Sequence, residues 1–355
     1  MTPNCNQQTR VYLSRHGCGP RRSAAAAVLL AALACAPSLH GQTLRQAAEP
    51  KGLFVGAMFL NEFWTTPQHR ATVVREFNCL TLNLAPHRTR PARGRFAWGV
   101  TEDSARWAER HNMALIGHAL VFPHDKHTPQ WILDTPASQA EAVLREHIAG
   151  SMAQYRGRVK AWVVANEAVS PAGGYRDSYW LRSLGPSYVS LAHRLARDAD
   201  PTATLVYNDH DIELSSSYQT RKWETAQKIL RRLVADGTVD ALGWQLHTTT
   251  DEVLGDEFVL EERMRWVRDE LGLANFVTEL DIVIGPNEPL DRQAEAYRRV
   301  AEVWRRYAGG GWLQTWGVHD GSTHLGSGAR PLLFNERYRP KPAYFAVRQV
   351  LAADP

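Results

Sequence analysis

The sequence predicts an α/β protein with a (β/α)₈ TIM barrel fold, and three observations support this. Eight short apolar segments alternate with longer amphipathic segments over about 300 residues. The apolar segments are continuous, as expected for parallel strands that are covered on both faces. No glycine-rich phosphate-binding turn follows the first apolar segment, which argues against a doubly wound open sheet. We therefore predict a closed barrel in a single domain.

The individual elements follow from the periodicity of the apolar residues. In the helical pattern "TEDSARWAERHNM", Thr101 is a candidate N-cap, and Trp107 and Met113 fall near one face. Further helical patterns are "YVSLAHRLARDAD", "ETAQKILRRLVADG", which stops at Gly237, and "RQAEAYRRVAEVWRRYAGG". The predicted strands are Leu53–Met58, Cys79–Leu82, Ala114–His118, Ala161–Val164, Thr204–Tyr207, Ala241–Trp244, Asn275–Leu280 and Gly311–Trp316.

Residues 1–41 are expected to form a secretory signal segment that is not part of the fold. Arg21 and Arg22 precede an apolar run, Ala24–Ala36, that is too short to span a bilayer as a stable helix. A retained N-terminal membrane anchor and a lipidated Cys35 are the alternatives. We predict a secreted or periplasmic protein whose folded domain covers residues 42–355.

The composition restricts the possible partners. The net charge of +4 over 355 residues is modest, so nothing indicates nucleic acid binding. Cys79 is the only cysteine after the leader, so the domain has no internal disulfide and depends on its core for stability. We expect a monomer without a membrane span in the mature chain.

Polar residues follow six of the eight predicted strands. The carboxyl ends of barrel strands all open onto one mouth, where active sites of this fold are built, so these side chains should converge. Any one of them can be a satisfied structural residue, but six strands that deliver such residues to one rim indicate function. They are His118, Asn166 and Glu167, Asn208 and Asp209, Gln245 and His247, Glu279 and Asp281, and Trp316 with His319 and Asp320.

Glu167 and Glu279 are the candidate catalytic pair, because glycosidic bond hydrolysis requires two carboxyl groups that flank the bond. One protonates the leaving oxygen, and the other stays ionised to attack or stabilise the anomeric carbon, so their surroundings must separate their pKa values. His247 is placed to bridge to Glu279 or Asp281 and to keep the nucleophile charged. For retention, the two carboxyl groups should lie about 5–5.5 Å apart.

Several motifs between Gly56 and Val350 occur in an order that is typical of one enzyme family. They are "WVVANEAV", "GWQLHT", "FVTELDI", "WGVHD" and "PLLFNERYRPKPAYFAV", and they resemble glycoside hydrolase family 10, the retaining endo-β-1,4-xylanases. The resemblance implies that Glu167 is the acid/base and Glu279 the nucleophile, without a metal or other cofactor. The residues that it places at the substrate are His118, Asn166, Gln245, His247 and Trp316, with Asn83 and His87 further along the glycan and Asp281 and Asn208 behind the pair.

The chain departs from the family pattern at the residues with which family members bind the non-reducing side of the glycan. After "FNCLT" the family has Pro-Glu-Asn-Glu-Met-Lys-Trp, whereas this chain has "LNLAPHR", so Asn83 and His87 replace a glutamate and a lysine. Phe122 replaces a tryptophan, and Thr323-His324 replace Ser-Trp. Because polar groups left without partners reject the wrong sugar strongly, these changes argue against plain xylan as the best substrate. A xylan-type or a decorated, acidic xylan-like polysaccharide is the expected substrate.

The loop "HRTRPARGR" carries Arg88, Arg90, Arg93 and Arg95 near the predicted mouth. Arginine suits bidentate contact with uronate or sulfate groups, so the loop is a hypothetical site for an acidic glycan. The alternative is an ordinary solvated loop.

Two further alternatives concern metal binding and catalysis. His124 and His127 in "PHDKH", with His319 and His324, are possible metal ligands. However, no His-x-His pair lies on the first strand, and we expect no catalytic metal. A non-catalytic carbohydrate-binding relative, or a hydrolase of a non-xylan β-glycoside, is the alternative function. Retention of both glutamates in intact motifs favours an enzyme.

Overall fold

The computed structural model describes residues 41–58, 66–326 and 328–354, all within one unit, Leu39–Pro355. The predicted leader, apart from Gly41, lies outside the described residues and stays a prediction. None of the helices that the structure describes is long and apolar enough to cross a membrane.

The described residues contain nine parallel strand segments, which form a closed barrel of eight strands. Neighbouring strands pair in the order β6-β5-β4-β3-β2-β1-β9-β8, and pairing of β6 with β8 closes the barrel. The short β7 follows β6 and pairs with the outer part of β8. The predicted (β/α)₈ fold is confirmed. The strands are β1 Val55–Met58, β2 Cys79–Asn83, β3 Ala114–Val121, β4 Val159–Asn166, β5 Thr204–Asp209, β6 Ala241–Trp244, β7 His247–Thr249, β8 Ala274–Val283 and β9 Leu313–Thr315.

Helices connect the strands, and all four predicted helical patterns are confirmed. One begins at Ser217, seven residues before its predicted pattern, and ends before Gly237, whose φ of 66° suits glycine. Thr101 is not an N-cap, because its helix begins at Gly99 and its hydroxyl instead donates to the Asn83 carbonyl. The helices are Leu44–Ala48, Pro67–Glu76, Pro86–Thr89, Gly99–Arg110, Gln130–Leu133, Ala137–Tyr155, Tyr179–Leu184, Tyr188–Ala199, Ser217–Ala235, Thr250–Leu254, Leu260–Leu271, Leu290–Tyr307 and Pro342–Ala352, with 3₁₀ turns at Glu49–Lys51, Asp125–His127 and Asp320–Ser322.

Alternate residues of each strand face the barrel interior and the surrounding helices. Val163 belongs to the small interior cluster, whereas its neighbour Trp162 packs into the larger cluster beneath the helices. Cys79 is buried in the interior cluster as a free thiol. Trp244 is fully buried, stacks on Trp223 and belongs to the core.

A fully buried ion pair ties the outer helix Ser217–Ala235 to the end of β5. Lys222 Nζ lies 3.2 Å from Asp209 Oδ1, and both side chains are inaccessible to solvent. The other oxygen of Asp209 accepts hydrogen bonds from the Tyr207 hydroxyl and the Val169 amide. Asp209 therefore anchors the loop that follows β4, which begins with Glu167.

Replacing Lys222 by methionine is expected to lower the free energy of unfolding by about 3–5 kcal/mol, because the Asp209 carboxylate would stay buried without its cation. Chemical denaturation followed by circular dichroism measures the change. Arg145→Met is the matched control, since Arg145 pairs with Glu141 on the surface, and its effect should stay within about 0.5 kcal/mol. Equal effects of the two substitutions would contradict the prediction.

Candidate active site

Glu167 and Glu279 lie at the same end of the barrel. Glu167 is the first residue after β4, and Glu279 lies in the carboxyl-terminal half of β8. A chain of side-chain amides connects them, so the two carboxyl groups share one site, as the barrel topology predicted.

The connecting amides come from the ends of three strands. Asn208 Nδ2 donates to Glu279 Oε1 at 2.8 Å and to Asn166 Oδ1 at 2.7 Å. Gln245 Nε2 donates to the same Asn166 oxygen at 3.1 Å and to Glu167 Oε1 at 3.3 Å. These bonds fix the orientation of each amide and place both carboxylates beside one set of connected amide side chains.

Gly243 on β6 leaves the space that Asn208 needs. A Cβ atom at position 243 would lie 2.1 Å from Asn208 Oδ1. That oxygen instead accepts a hydrogen bond from the Thr278 hydroxyl at 2.7 Å. The Asn208 donor group is thereby directed at Glu279.

Glu279 is buried, and cationic or donating groups surround its carboxylate. Burial alone would raise the pKa of Glu279, but His118, His247 and Asn208 outweigh it and hold the pKa below its ordinary value. His118 Nε2 lies 3.8 Å from Oε1, and His247 Nε2 lies 3.3 Å from Oε2. The arrangement keeps Glu279 ionised, as a nucleophile requires.

His247 lies between two carboxylates. Its Nδ1 atom is 3.0 Å from Asp281 Oδ2, and its Nε2 atom faces Glu279. Burial would lower the pKa of His247, but Asp281 and Glu279 together raise it to about 10. The imidazole is therefore cationic at neutral pH. The sequence predicted a bridge from His247 to Glu279 or to Asp281, and the structure shows contacts with both.

Replacing His247 by asparagine is expected to move the acidic limb of the kcat/KM profile upward by about one pH unit or more. Removing the cation raises the pKa of Glu279, so the nucleophile becomes protonated at a higher pH than in the wild type. His111→Asn is the control, since His111 bonds the Trp107 carbonyl on an outer helix. An acidic limb that does not move in His247→Asn would contradict the assignment.

Glu167 adopts a left-handed backbone conformation with φ of 54°, which is uncommon for a residue with a side chain. Two hydrogen bonds hold it there: its amide donates to the Asn208 carbonyl at 2.9 Å, and its carbonyl accepts from Arg176 Nε at 3.0 Å. Its side chain is 18% exposed, against 4% for Glu279. Glu167 is thus the more accessible member of the pair.

Two residues that the sequence interpretation missed surround the Glu167 carboxylate. Arg176 Nη2 lies 3.5 Å and His210 Nε2 lies 3.6 Å from Oε2. His210 directly follows the Asn208-Asp209 pair, so the strand-end pattern contained a signal for it. Arg176 lies in the loop after β4, where no periodicity marks it.

Trp316 packs edge-on to both histidines that face Glu279. Its ring centroid is 5.3 Å from that of His118 and 6.1 Å from that of His247. The backbone amide of Trp316 donates to the Leu280 carbonyl, which fixes the residue beside β8. An aromatic face at this position suits stacking on a sugar ring.

The contacts that Asn83 and His87 make are with residues other than the two glutamates. Asn83 lies in register with His118 on the neighbouring strand, but its side chain accepts from the Ala85 amide. His87 is exposed, and its ring lies 5.5 Å from that of His127. Their predicted contact with the glycan stays a prediction.

The hypothesis that the arginine loop binds an acidic glycan is wrong for Arg90. This side chain is fully buried, forms an ion pair with Glu146 at 2.9 Å, and lies between the rings of Phe96 and Trp131. Arg93 bonds Gln139 on an outer helix. One of the four arginines of this loop, Arg90, is therefore directed into the protein.

The histidines of "PHDKH" lie on the rim beside the acid/base candidate. His124 Nε2 is 3.4 Å from Arg176 Nη1, and burial together with Arg176 lowers the pKa of His124 to about 4. The ring of His127 stacks on Phe122. The insertion therefore places one neutral imidazole, that of His124, next to Arg176.

The barrel and its strand-end glutamate pair define a glycoside hydrolase of the (β/α)₈ class. The chain matches the description "Glycosyl hydrolase family 10" over residues 43–350 and belongs to that family, whose members act with retention. The resemblance found in the sequence is thereby confirmed.

Relatives and solved structures agree with this assignment. Endo-1,4-beta-xylanase B of Thermotoga neapolitana is 33% identical over 345 residues, which cover 92% of this chain and 96% of the relative. The crystal structure of native xylanase 10B from Thermotoga maritima has a TM-score of 0.79 and 31% identity, covering 87% of this chain and 98% of that one. Xylanase 10B from Thermotoga petrophila in complex with xylobiose has the same score and identity and covers 88% and 97%.

Proposed function

We propose that this protein hydrolyses β-1,4-linked glycans of the xylan type by double displacement. Glu279 attacks the anomeric carbon while Glu167 protonates the leaving oxygen, and Glu167 then acts as base for the incoming water. The named activity of the Thermotoga relatives supports the glycan class.

The assignment of one glutamate as nucleophile and the other as acid/base rests on the difference between their surroundings. Glu279 is buried and receives donors and positive charge from His118, His247 and Asn208, which stabilise its ionised form. Glu167 is more accessible and stands at the edge of the site, where a leaving group and then a water molecule can reach it. A nucleophile and an acid/base require these different environments.

The stereochemistry of hydrolysis tests the mechanism directly. Proton NMR of a fresh digest of a β-1,4-xylooligosaccharide should show the β-anomer of the new reducing end first, followed by mutarotation to the α-anomer. Initial appearance of the α-anomer would exclude Glu279 as a nucleophile and would indicate direct attack by water.

The sequence departures at Asn83 and His87 support a preference for decorated glycans. The test compares kcat/KM on unsubstituted xylooligosaccharides, uronate-decorated xylooligosaccharides and β-1,4-glucooligosaccharides at two salt concentrations. We expect the decorated xylo-series to be preferred. Equal rates on plain and decorated xylo-substrates would exclude the preference without affecting the mechanism.

The leader, domain and assembly predictions stay proposals. We propose that residues 1–41 direct export to the periplasm or medium, that residues 42–355 are the mature domain, and that it acts as a monomer. Mass spectrometry of the protein expressed from its full coding sequence gives the mature N-terminus and any lipid on Cys35. Light scattering gives the oligomeric state, and a dimer would contradict the last proposal.

A further inference from the structure

Three side chains of different origin converge beside the candidate nucleophile. His247 lies on β7, Asp281 lies opposite it on β8, and His324 follows the 3₁₀ turn after β9. One ligand atom from each of the three lies within 4.8 Å of the other two. Among the residues that the structure describes, this is the one group of three metal-ligating side chains brought so close together.

The distances suit a small divalent cation. His247 Nδ1 and His324 Nδ1 lie 3.0 Å and 3.6 Å from Asp281 Oδ2, and the two imidazole rings are 5.0 Å apart at 64°. Tetrahedral zinc with bond lengths of about 2.0–2.1 Å separates its ligand atoms by roughly 3.3 Å. Small shifts of the half-exposed His324 would complete the geometry.

Asp281 provides a second, independent observation. Its side chain is fully buried, and its Oδ2 atom pairs with the cationic His247 ring at 3.0 Å. Its Oδ1 atom receives no hydrogen bond from a described residue. Buried carboxylate oxygens are normally satisfied by donors or by a metal, so Oδ1 points to a missing partner.

The other nitrogen of His247 is already used. Its Nε2 atom faces Glu279 Oε2, which fixes the ring and leaves Nδ1 as the atom directed at Asp281. Metal-bound histidines commonly donate a hydrogen bond from their second ring nitrogen to a carboxylate in this way. Two imidazoles and one carboxylate form a donor set that binds zinc in preference to magnesium or calcium.

We propose that His247, Asp281 and His324 form a binding site for a zinc-class divalent cation, with the fourth position open to water on the side of His324. The cation takes the place of the proton on His247 Nδ1, and His247 then binds as a neutral imidazole that donates from Nε2 to Glu279. This site goes beyond the proposed glycosidase function, which needs no metal.

Occupancy has a consequence for the reaction, and this consequence rests on the proposed role of Glu279. The dication replaces the proton of a singly charged imidazolium, so it adds one positive charge beside Glu279. The added charge stabilises the carboxylate before it attacks and opposes the positive charge that develops at the anomeric carbon. Zinc is therefore expected to be a reversible inhibitor of hydrolysis.

Isothermal titration of the metal-free domain with ZnCl₂ tests the site without any substrate. We expect one zinc per chain in the wild type and at least about tenfold weaker binding in His324→Ala and His324→Asn. His127→Ala is the matched control, since it removes another rim histidine, and it should retain wild-type zinc affinity. Circular dichroism melting checks that each variant is folded.

Inhibition assays complete the test. Zinc should lower the rate of xylooligosaccharide hydrolysis, a chelator should restore it, and the inhibition constant should rise about tenfold in His324→Ala. No zinc binding by the wild type, or equal affinity in wild type and His324→Ala, would overturn the site. Zinc binding without inhibition would keep the site and overturn its link to Glu279. Absence of hydrolysis in metal-free wild type would count against the proposed function instead.

Discussion

Replacing Glu279 by alanine is expected to reduce kcat on xylooligosaccharides on the order of 10⁴–10⁶-fold, the largest loss that we expect from any single substitution. The first displacement needs a carboxylate that attacks the anomeric carbon, and no glycosyl-enzyme forms without it. The reducing-sugar assay measures the loss, and Glu141→Ala, which changes an exposed surface carboxylate, is the control.

Chemical rescue distinguishes a nucleophile from a structural residue. In Glu279→Ala, azide can occupy the vacated position and attack an activated aryl β-xyloside, giving an α-glycosyl azide in one inverting step. A variant that azide does not rescue, or that retains more than about one-hundredth of the wild-type rate, would remove Glu279 from the role of nucleophile.

Replacing Glu167 by alanine is expected to have a large effect that depends on the leaving group. General acid catalysis contributes about 10²–10⁴-fold, so hydrolysis of natural oligosaccharides should slow by about this factor. Glycosylation by a substrate with an acidic phenol as leaving group needs little protonation and should proceed at close to the wild-type rate. Rapid-quench measurement of phenol release resolves this step from the slower deglycosylation.

The same variant should be rescued by azide with the opposite stereochemistry. Glu279 still forms the covalent intermediate, and azide, which needs no general base, attacks it to give a β-glycosyl azide. Glu167→Gln should behave similarly, which controls for the lost volume. Equal losses on activated and natural substrates would contradict the acid/base role.

Much of the fold and the outline of the site could be predicted from local sequence. All eight strands lie where apolar runs were found, because burial on both faces favours apolar residues at most positions of a parallel strand. The ends of the runs also predicted that Glu167 and Glu279 would meet, since parallel strands in a closed barrel open onto one rim. The fold class alone was enough to predict that the two glutamates share one site.

Contacts made by loops could not be predicted in this way. Arg90 lies in a polar loop segment, yet it packs between Phe96 and Trp131, and only the path of the chain decides this. Arg176 reaches Glu167 from nine positions further along, with no pattern to mark the contact. Thr101 was a reasonable N-cap by residue type, but its helix begins two residues earlier.

The sequence by itself determined the barrel, the family and the two strands that carry the glutamates, because these depend on hydrophobic periodicity and short motifs along the chain. The sequence had placed His247 beside Glu279 or Asp281, but only the tertiary structure decided the other charges around each glutamate: His118 at Glu279, and Arg176 and His210 at Glu167. It alone brought His324 to Asp281. The physical reason is that electrostatic environment depends on distance in space and on burial, and neither is encoded in the spacing of residues along the chain.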